Sequence, residues 1–265
     1  MFNKYCTISD QENTRNDLHG VILGKNVDIA LEEMVKDGVL QELVPGLEPL
    51  IAMKDKSNRF KALWKHTKTV TKQSKPTIVL RWAAFFHDFG KPECFNIIND
   101  KIIFHNHESK SVKYFKKFAE QNKIFSKEEY KEICFLIYNL GYVESYTNDW
   151  TDSAVRRFIT KCGPYIDNLL LLSTADITTA DPNKRKSILN KINSFKNRIQ
   201  YINSIDSRKQ VLPKGLGHAI INAGLGNGQI ISELKNFLEK KIQEEKILPN
   251  KDVEYYMNYL IDKIR

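Results

Sequence analysis

Apolar residues recur along most of the chain at three- and four-residue intervals, the spacing that places them on one face of an α-helix. From Val27 onward this period predicts helices over 27–36, 60–72, 77–86, 107–121, 127–139, 151–160, 165–178 and 184–205, with two more over 228–241 and 251–263. Pro45, Gly46 and Pro49 interrupt the pattern after the first of these. Residues 1–24 show weak periodicity and several turn formers, which predicts an N-terminal arm lying on the body. One stretch switches to a strand pattern, where Asn96, Ile97 and Ile98 and then Lys101, Ile102, Ile103 and Phe104 flank the turn pair Asn99 and Asp100. A lone hairpin is stable only when packed on helices. No repeat, low-complexity tract or Gly/Ser linker divides the chain. The expected fold is therefore all-α, a single helical domain over 1–265 with one small β-hairpin. Behind the arm, leading helices take 25–58, a central core 59–205 and C-terminal helices 206–265.

Composition narrows the class. At 42% hydrophobic and 28% charged the chain reads as a globular protein, and its longest apolar runs are too short to cross a bilayer. The opening residues MFNKYCTISDQEN lack the basic start, apolar run and small-residue cleavage site of a secretory signal, so a cytoplasmic location is expected. Cys6, Cys94, Cys134 and Cys162 are scattered without a CxxC pair, which indicates reduced thiols rather than a disulfide frame or thiolate zinc site. Charge is uneven. The first fifty residues carry nine acidic and four basic side chains, and the rest carry 23 acidic and 37 basic, a net +14. A basic body suits phosphate-bearing partners, although lysine-rich helices also serve as solvated faces.

Candidate chemistry centres on LRWAAFFHDFGKP, an apolar helix ending in adjacent His87 and Asp88, with Gly90 and Pro92 as terminators. Alone, such a doublet serves equally well as a helix cap and a core histidine. His66, in LWKHTKTV, shares a helical face with Leu63, Thr67 and Val70, so its imidazole faces inward. Asp176 closes the apolar run LLLLSTAD, and a carboxylate buried there requires a cation or strong donors. Two imidazoles and two carboxylates suit one divalent ion such as Mn²⁺, Co²⁺, Ni²⁺, Fe²⁺ or Mg²⁺ better than a structural zinc site. Lys91 follows the doublet and is placed to contact a substrate phosphate, where it would offset developing charge. Of Arg156 and Arg157 in DSAVRRF, one reaches the pocket and the other pairs with Asp152; Arg156 is carried as the substrate-binding candidate. The glycine-rich GLGHAIINAGLGNGQ follows no strand and fits no dinucleotide or P-loop pattern, so its glycines read as helix caps.

The segments HT at His66–Thr67, LRWAAFFHDFGKP, FHNHES, DSAVRRF, LLSTADIT and GHAIINAGLGNGQII stand in the order and approximate spacing of a known domain. The chain resembles the HD domain of bacterial CCA-adding enzymes (tRNA nucleotidyltransferases), from about Ala30 to the C-terminus, with ALEEMVKDGVLQELVPGLEPL resembling the preceding helical region. The nucleotide-adding head of that family has no counterpart. The resemblance implies that His66, His87, Asp88 and Asp176 are metal ligands and that the core over 59–205 is the metal-binding HD part. It also matches His107 to a pocket histidine, with Asn106 in place of the family's glycine. Where relatives often place a further histidine, this chain reads LIYNLGYVESY, with Asn139 or Leu140 near that position, so one metal rather than two is expected. The implied activity is metal-dependent phosphoester hydrolysis, with Asp88, Lys91 and His107 as catalytic residues and Lys91, His107 and Arg156 binding substrate. Nucleoside 5′-monophosphates, deoxynucleotides included, are the leading substrates. The alternatives are an RNA or tRNA 3′-end cyclic phosphodiesterase or phosphatase, and a non-catalytic domain that binds nucleic acid or protein.

Overall fold

The structure is a computed structural model that describes residues 11–53, 63–99, 101–209 and 212–264. Residues 1–10 of the expected arm, including Cys6, the first three of the helix expected over 60–72, and Asp100 of the expected turn lie outside the described residues. The fold is all-α with one antiparallel β-hairpin, and the chain forms two compact units, residues 1–196 and 197–265.

The first unit is organised around a helix that is almost wholly apolar and is enclosed on all sides. This is α6, Ile78–Phe86, whose start is fixed by Thr77, its hydroxyl accepting the Leu80 amide. Every residue from Leu80 to Gly90 is buried, as expected for a helix enclosed by others. Around it pack α1 (Gln11–Leu23), α5 (Leu63–Gln73), α7 (His107–Asn122), α8 (Lys127–Glu144) and α10 (Ile166–Ala175). Trp82, Phe85, Phe86 and Phe89 from α6 and its exit meet Phe115, Phe118 and Phe125 in a cluster of edge-to-face and tilted rings. The helices α2 (Val27–Lys36), α3 (Val39–Leu43) and α4 (Leu47–Ala52) precede α5, and α9 (Asp152–Cys162) precedes α10. The helix α11, Pro182–Lys209, runs from the first unit into the second.

Where the sequence pattern points to an arm, residues Gln11–Leu23 form a helix. Leu18, His19 and Ile22 are buried, and His19 bridges two elements, Nε2 bonding the Ile124 carbonyl at 3.1 Å and Nδ1 accepting the Trp82 indole N–H at 3.1 Å. Three inward residues in one short helix are too few to raise a periodic signal. Arg81 is also buried; its guanidinium donates to the carbonyls of Ser74, Ile22 and Gly24, which are helix-end acceptors left over from α5 and α1. The helix α8 begins with a reciprocal Ser126–Glu129 capping box and extends five residues past the expected end at 139.

The hairpin pairs β1 (Phe95–Ile98) with β2 (Lys101–Phe104) in the register Phe95 to Phe104 and Ile97 to Ile102, turning at Asn99, whose φ is +51°. In the second unit α12 (Leu216–Asn222), α13 (Gln229–Gln243) and α14 (Val253–Ile264) enclose Leu216, Ile220, Leu238, Tyr256 and Leu260. Gly215 and Gly228 take positive φ at the N-caps of α12 and α13, so two glycines of the glycine-rich segment serve as caps. Among the described residues no helix is long and apolar enough to cross a membrane, and Cys94, Cys134 and Cys162 are free thiols.

Candidate metal centre

Three helices deliver the four expected ligands to one point. His66 lies on the inward face of α5, His87 is the C-cap residue of α6 with Asp88 following it, and Asp176 is the C-cap residue of α10. The two Nε2 atoms of His66 and His87 stand 3.1 Å apart. Asp88 Oδ2 is 3.4 Å from each, and Asp176 Oδ1 is 3.0 Å from His66 and 3.3 Å from His87. Around a cation with bonds of about 2.1 Å, neighbouring ligand atoms sit about 3.0 Å apart in an octahedron and about 3.4 Å in a tetrahedron, so every one of these separations suits a shared ion. His66, His87 and Asp88 present ligand atoms all within 4.8 Å of one another, a group able to hold a metal ion.

Proton placement adds to the fit. His87 Nδ1 donates to the Ala84 carbonyl at 2.7 Å, an acceptor only, so the neutral ring turns a bare Nε2 toward the cluster. His66 Nδ1 is held by the Thr178 hydroxyl at 2.9 Å, which orients its Nε2 in the same way. Asp176 Oδ1 is buried and accepts no well-formed hydrogen bond, its nearest polar neighbours being those two ring nitrogens. An orphaned buried carboxylate oxygen facing two imidazole nitrogens is the arrangement a cation resolves.

Electrostatics tie the group together. Burial opposes charging of His87, but Asp88 and Asp176 outweigh it and push the imidazole up to about 10. Burial likewise opposes ionisation of Asp88 and Asp176, yet the facing imidazoles, joined at Asp88 by Lys91, hold both well below the usual carboxylate range. Lys91 Nζ lies 2.6 Å from Asp88 Oδ2; burial works against its charge, and Asp88 more than compensates, raising it above its ordinary value. An almost fully buried Asp88 is tolerable because it is neutralised on several sides.

His107 opens α7 with its Nε2 3.7 Å from Asp88 Oδ1, and its Nδ1 donates to the Phe104 carbonyl at 2.8 Å. The preceding Asn106 has φ +61°, a left-handed conformation that asparagine tolerates better than most residues, which explains how it stands where a glycine is otherwise expected. The structure thus gathers His66, His87, Asp88, Asp176, Lys91 and His107. Arg156 is half-buried on α9. His105 is exposed, and Asn139 is buried with its amide donating to its own helix at Phe135.

Two residues escaped the sequence reading. Thr178, two positions after Asp176 in ADIT, orients His66. Glu144, at the end of α8, is raised by partial burial and the like charge of Asp176, opposed by Lys91, with Asp88 adding to the rise. It lies in YVESY, just after Asn139 and Leu140. Compared with known protein families and with curated proteins, the chain matches none, so the likeness to HD domains rests on the quoted motifs.

Proposed function

We propose that this protein is a divalent-metal-dependent phosphomonoesterase of HD type that converts nucleoside and deoxynucleoside 5′-monophosphates to nucleoside and phosphate. The observation that carries the reading is the convergence of two Nε2 atoms and two carboxylates from α5, α6 and α10 at separations of 3.0–3.4 Å. A bound cation would supply charge for a phosphate oxygen and acidify a water.

The chain's own residues complete the chemistry. Lys91 stands beside Asp88 with its ammonium on the cluster, where it offsets charge on a phosphoryl group. His107, locked through Nδ1 to Phe104, presents Nε2 to the same side and in its protonated form donates to the leaving oxygen. Thr178 keeps His66 aimed at the cluster.

The test is phosphate release from a panel of 2′-, 3′-, 5′- and cyclic nucleotides with Mg²⁺, Mn²⁺, Co²⁺ or Ni²⁺, beside Asp88→Asn shown to be folded. Release from 5′-monophosphates, lost in the variant, supports the reading. A blank panel, or equal release by the variant, sinks it. Activity confined to polynucleotide ends and falling steeply with salt would reassign the site to RNA 3′-end processing.

A further inference from the structure

The hairpin carries an apolar face that begins at the metal centre. In an antiparallel pair, directly opposed residues share a face, so Phe95 and Phe104 lie on one side with Ile97 and Ile102 two positions along. Phe104 is the inner end of this strip. Its ring is 5.6 Å from Lys91 Nζ, its carbonyl takes the His107 Nδ1 proton, and its ring meets that imidazole edge-on. Moving outward, Phe95 packs against Phe104 with ring centres 6.1 Å apart yet stays 45% exposed, and Ile97 is 57% exposed. Ile98 points to the opposite face with 46% exposure.

Two residues of strand span about 7 Å, so the strip from Phe104 and Phe95 to Ile97 and Ile102 is long enough for a planar ring system to lie across it. Its inner end lies against Lys91 and His107, the side chains expected to meet the phosphate, and its outer end is bare hydrocarbon. A substrate with an anionic end and a flat apolar end matches that order. We propose that this face is the nucleobase platform, with Ile97 and Phe95 as specificity-determining residues that favour nucleotides over base-free sugar phosphates. The inference rests on the phosphatase reading for the position of the phosphate. It needs no hydrolysis for its own test.

In the magnesium-loaded protein with labelled isoleucine methyls, the non-hydrolysable phosphonate analogue of adenosine 5′-monophosphate should shift Ile97 and Ile102. Ile98 should stay still, and ribose 5-phosphate should shift none of the three. Methyls of Ile97 and Ile102 that ignore the analogue, or respond equally to ribose 5-phosphate, overturn the platform. This holds whether or not the enzyme is active, so phosphatase activity without these shifts defeats the platform alone, and the shifts without activity defeat the phosphatase reading alone. Ile97→Ser should also raise KM for the nucleotide about tenfold while leaving ribose 5-phosphate turnover unchanged. Ile98→Ser, on the other face, should change neither, and equal losses on both substrates in Ile97→Ser would also overturn the proposal.

Discussion

Gly90 sits so close to the start of α7 that a Cβ added to it would stand 2.2 Å from the carbonyl oxygen of His107. The same added atom would meet Lys110 Cβ at 2.6 Å and the Ser111 amide nitrogen at 2.8 Å, and the Gly90 amide itself donates to the Ser111 hydroxyl. Its φ is not left-handed, so the need for glycine here comes from close approach and not from backbone conformation. The contact sets the distance between Asp88, two residues earlier, and His107.

Gly90→Ala is accordingly expected to force α7 away from the turn after α6. Overpacking of this kind costs about 1–3 kcal/mol. Urea unfolding midpoints measure the loss, and phosphate release should fall further than stability does, because His107 moves with α7. An unchanged midpoint would mean that the two segments part without cost.

Cation binding should stabilise the fold by mass action, by about 2.7 kcal/mol at a free metal concentration one hundred times Kd. Thermal scans with and without Mn²⁺ should therefore separate for the native chain. They should coincide for Asp176→Ala and His66→Ala, each of which removes a ligand atom from the group.

Thr178→Val keeps the shape of the side chain and removes the partner of His66 Nδ1. Loss of such an orienting bond typically weakens metal affinity about 10–100-fold. Calorimetric titration with Mn²⁺ should show that loss with little change in metal-free thermal midpoint.

The pH dependence of the metal-free protein has a definite sign. His87 rises from an ordinary 6.5 to about 10 on folding, so its charged form stabilises the native state. That contribution is complete below about pH 6.5 and is lost as pH climbs toward 10. Asp88 and Asp176 shift the other way, and their contribution is present above their ordinary 3.8 and disappears as acid brings pH down through their depressed values. Denaturation midpoints in EDTA should thus fall on the alkaline side, and saturating Mn²⁺ should flatten that fall because the ion takes the place of the His87 proton.

Much of the site was legible because its residues sit at points where local pattern and burial disagree. A histidine on an apolar face at 66, a doublet ending a largely apolar helix at 87 and 88, and an acid closing LLLLSTAD at 176 each place a polar group where the period demands hydrocarbon. The helix pattern likewise located most elements of the first unit. Residues that act through geometry were not visible. Thr178 is an ordinary polar residue until α10 ends beside α5, and Glu144 lay five residues beyond the helix end expected at 139. In the fold α8 continues through Gly141, and a Cβ there would lie 3.3 Å from Glu108 Oε1, so the missing side chain serves packing against α7.

The helices α6 and α10 both end at the ligands, with His87 and Asp176 as their C-cap residues. Each such end carries about half a negative charge, added to that of two carboxylates. A phosphate dianion approaching this corner would meet carboxylates and helix ends whose charge Lys91 offsets on one side, and a seated cation would add to that offset. On the proposed phosphatase reading, a cation held by His66, His87, Asp88 and Asp176 would have to bind before the phosphoester.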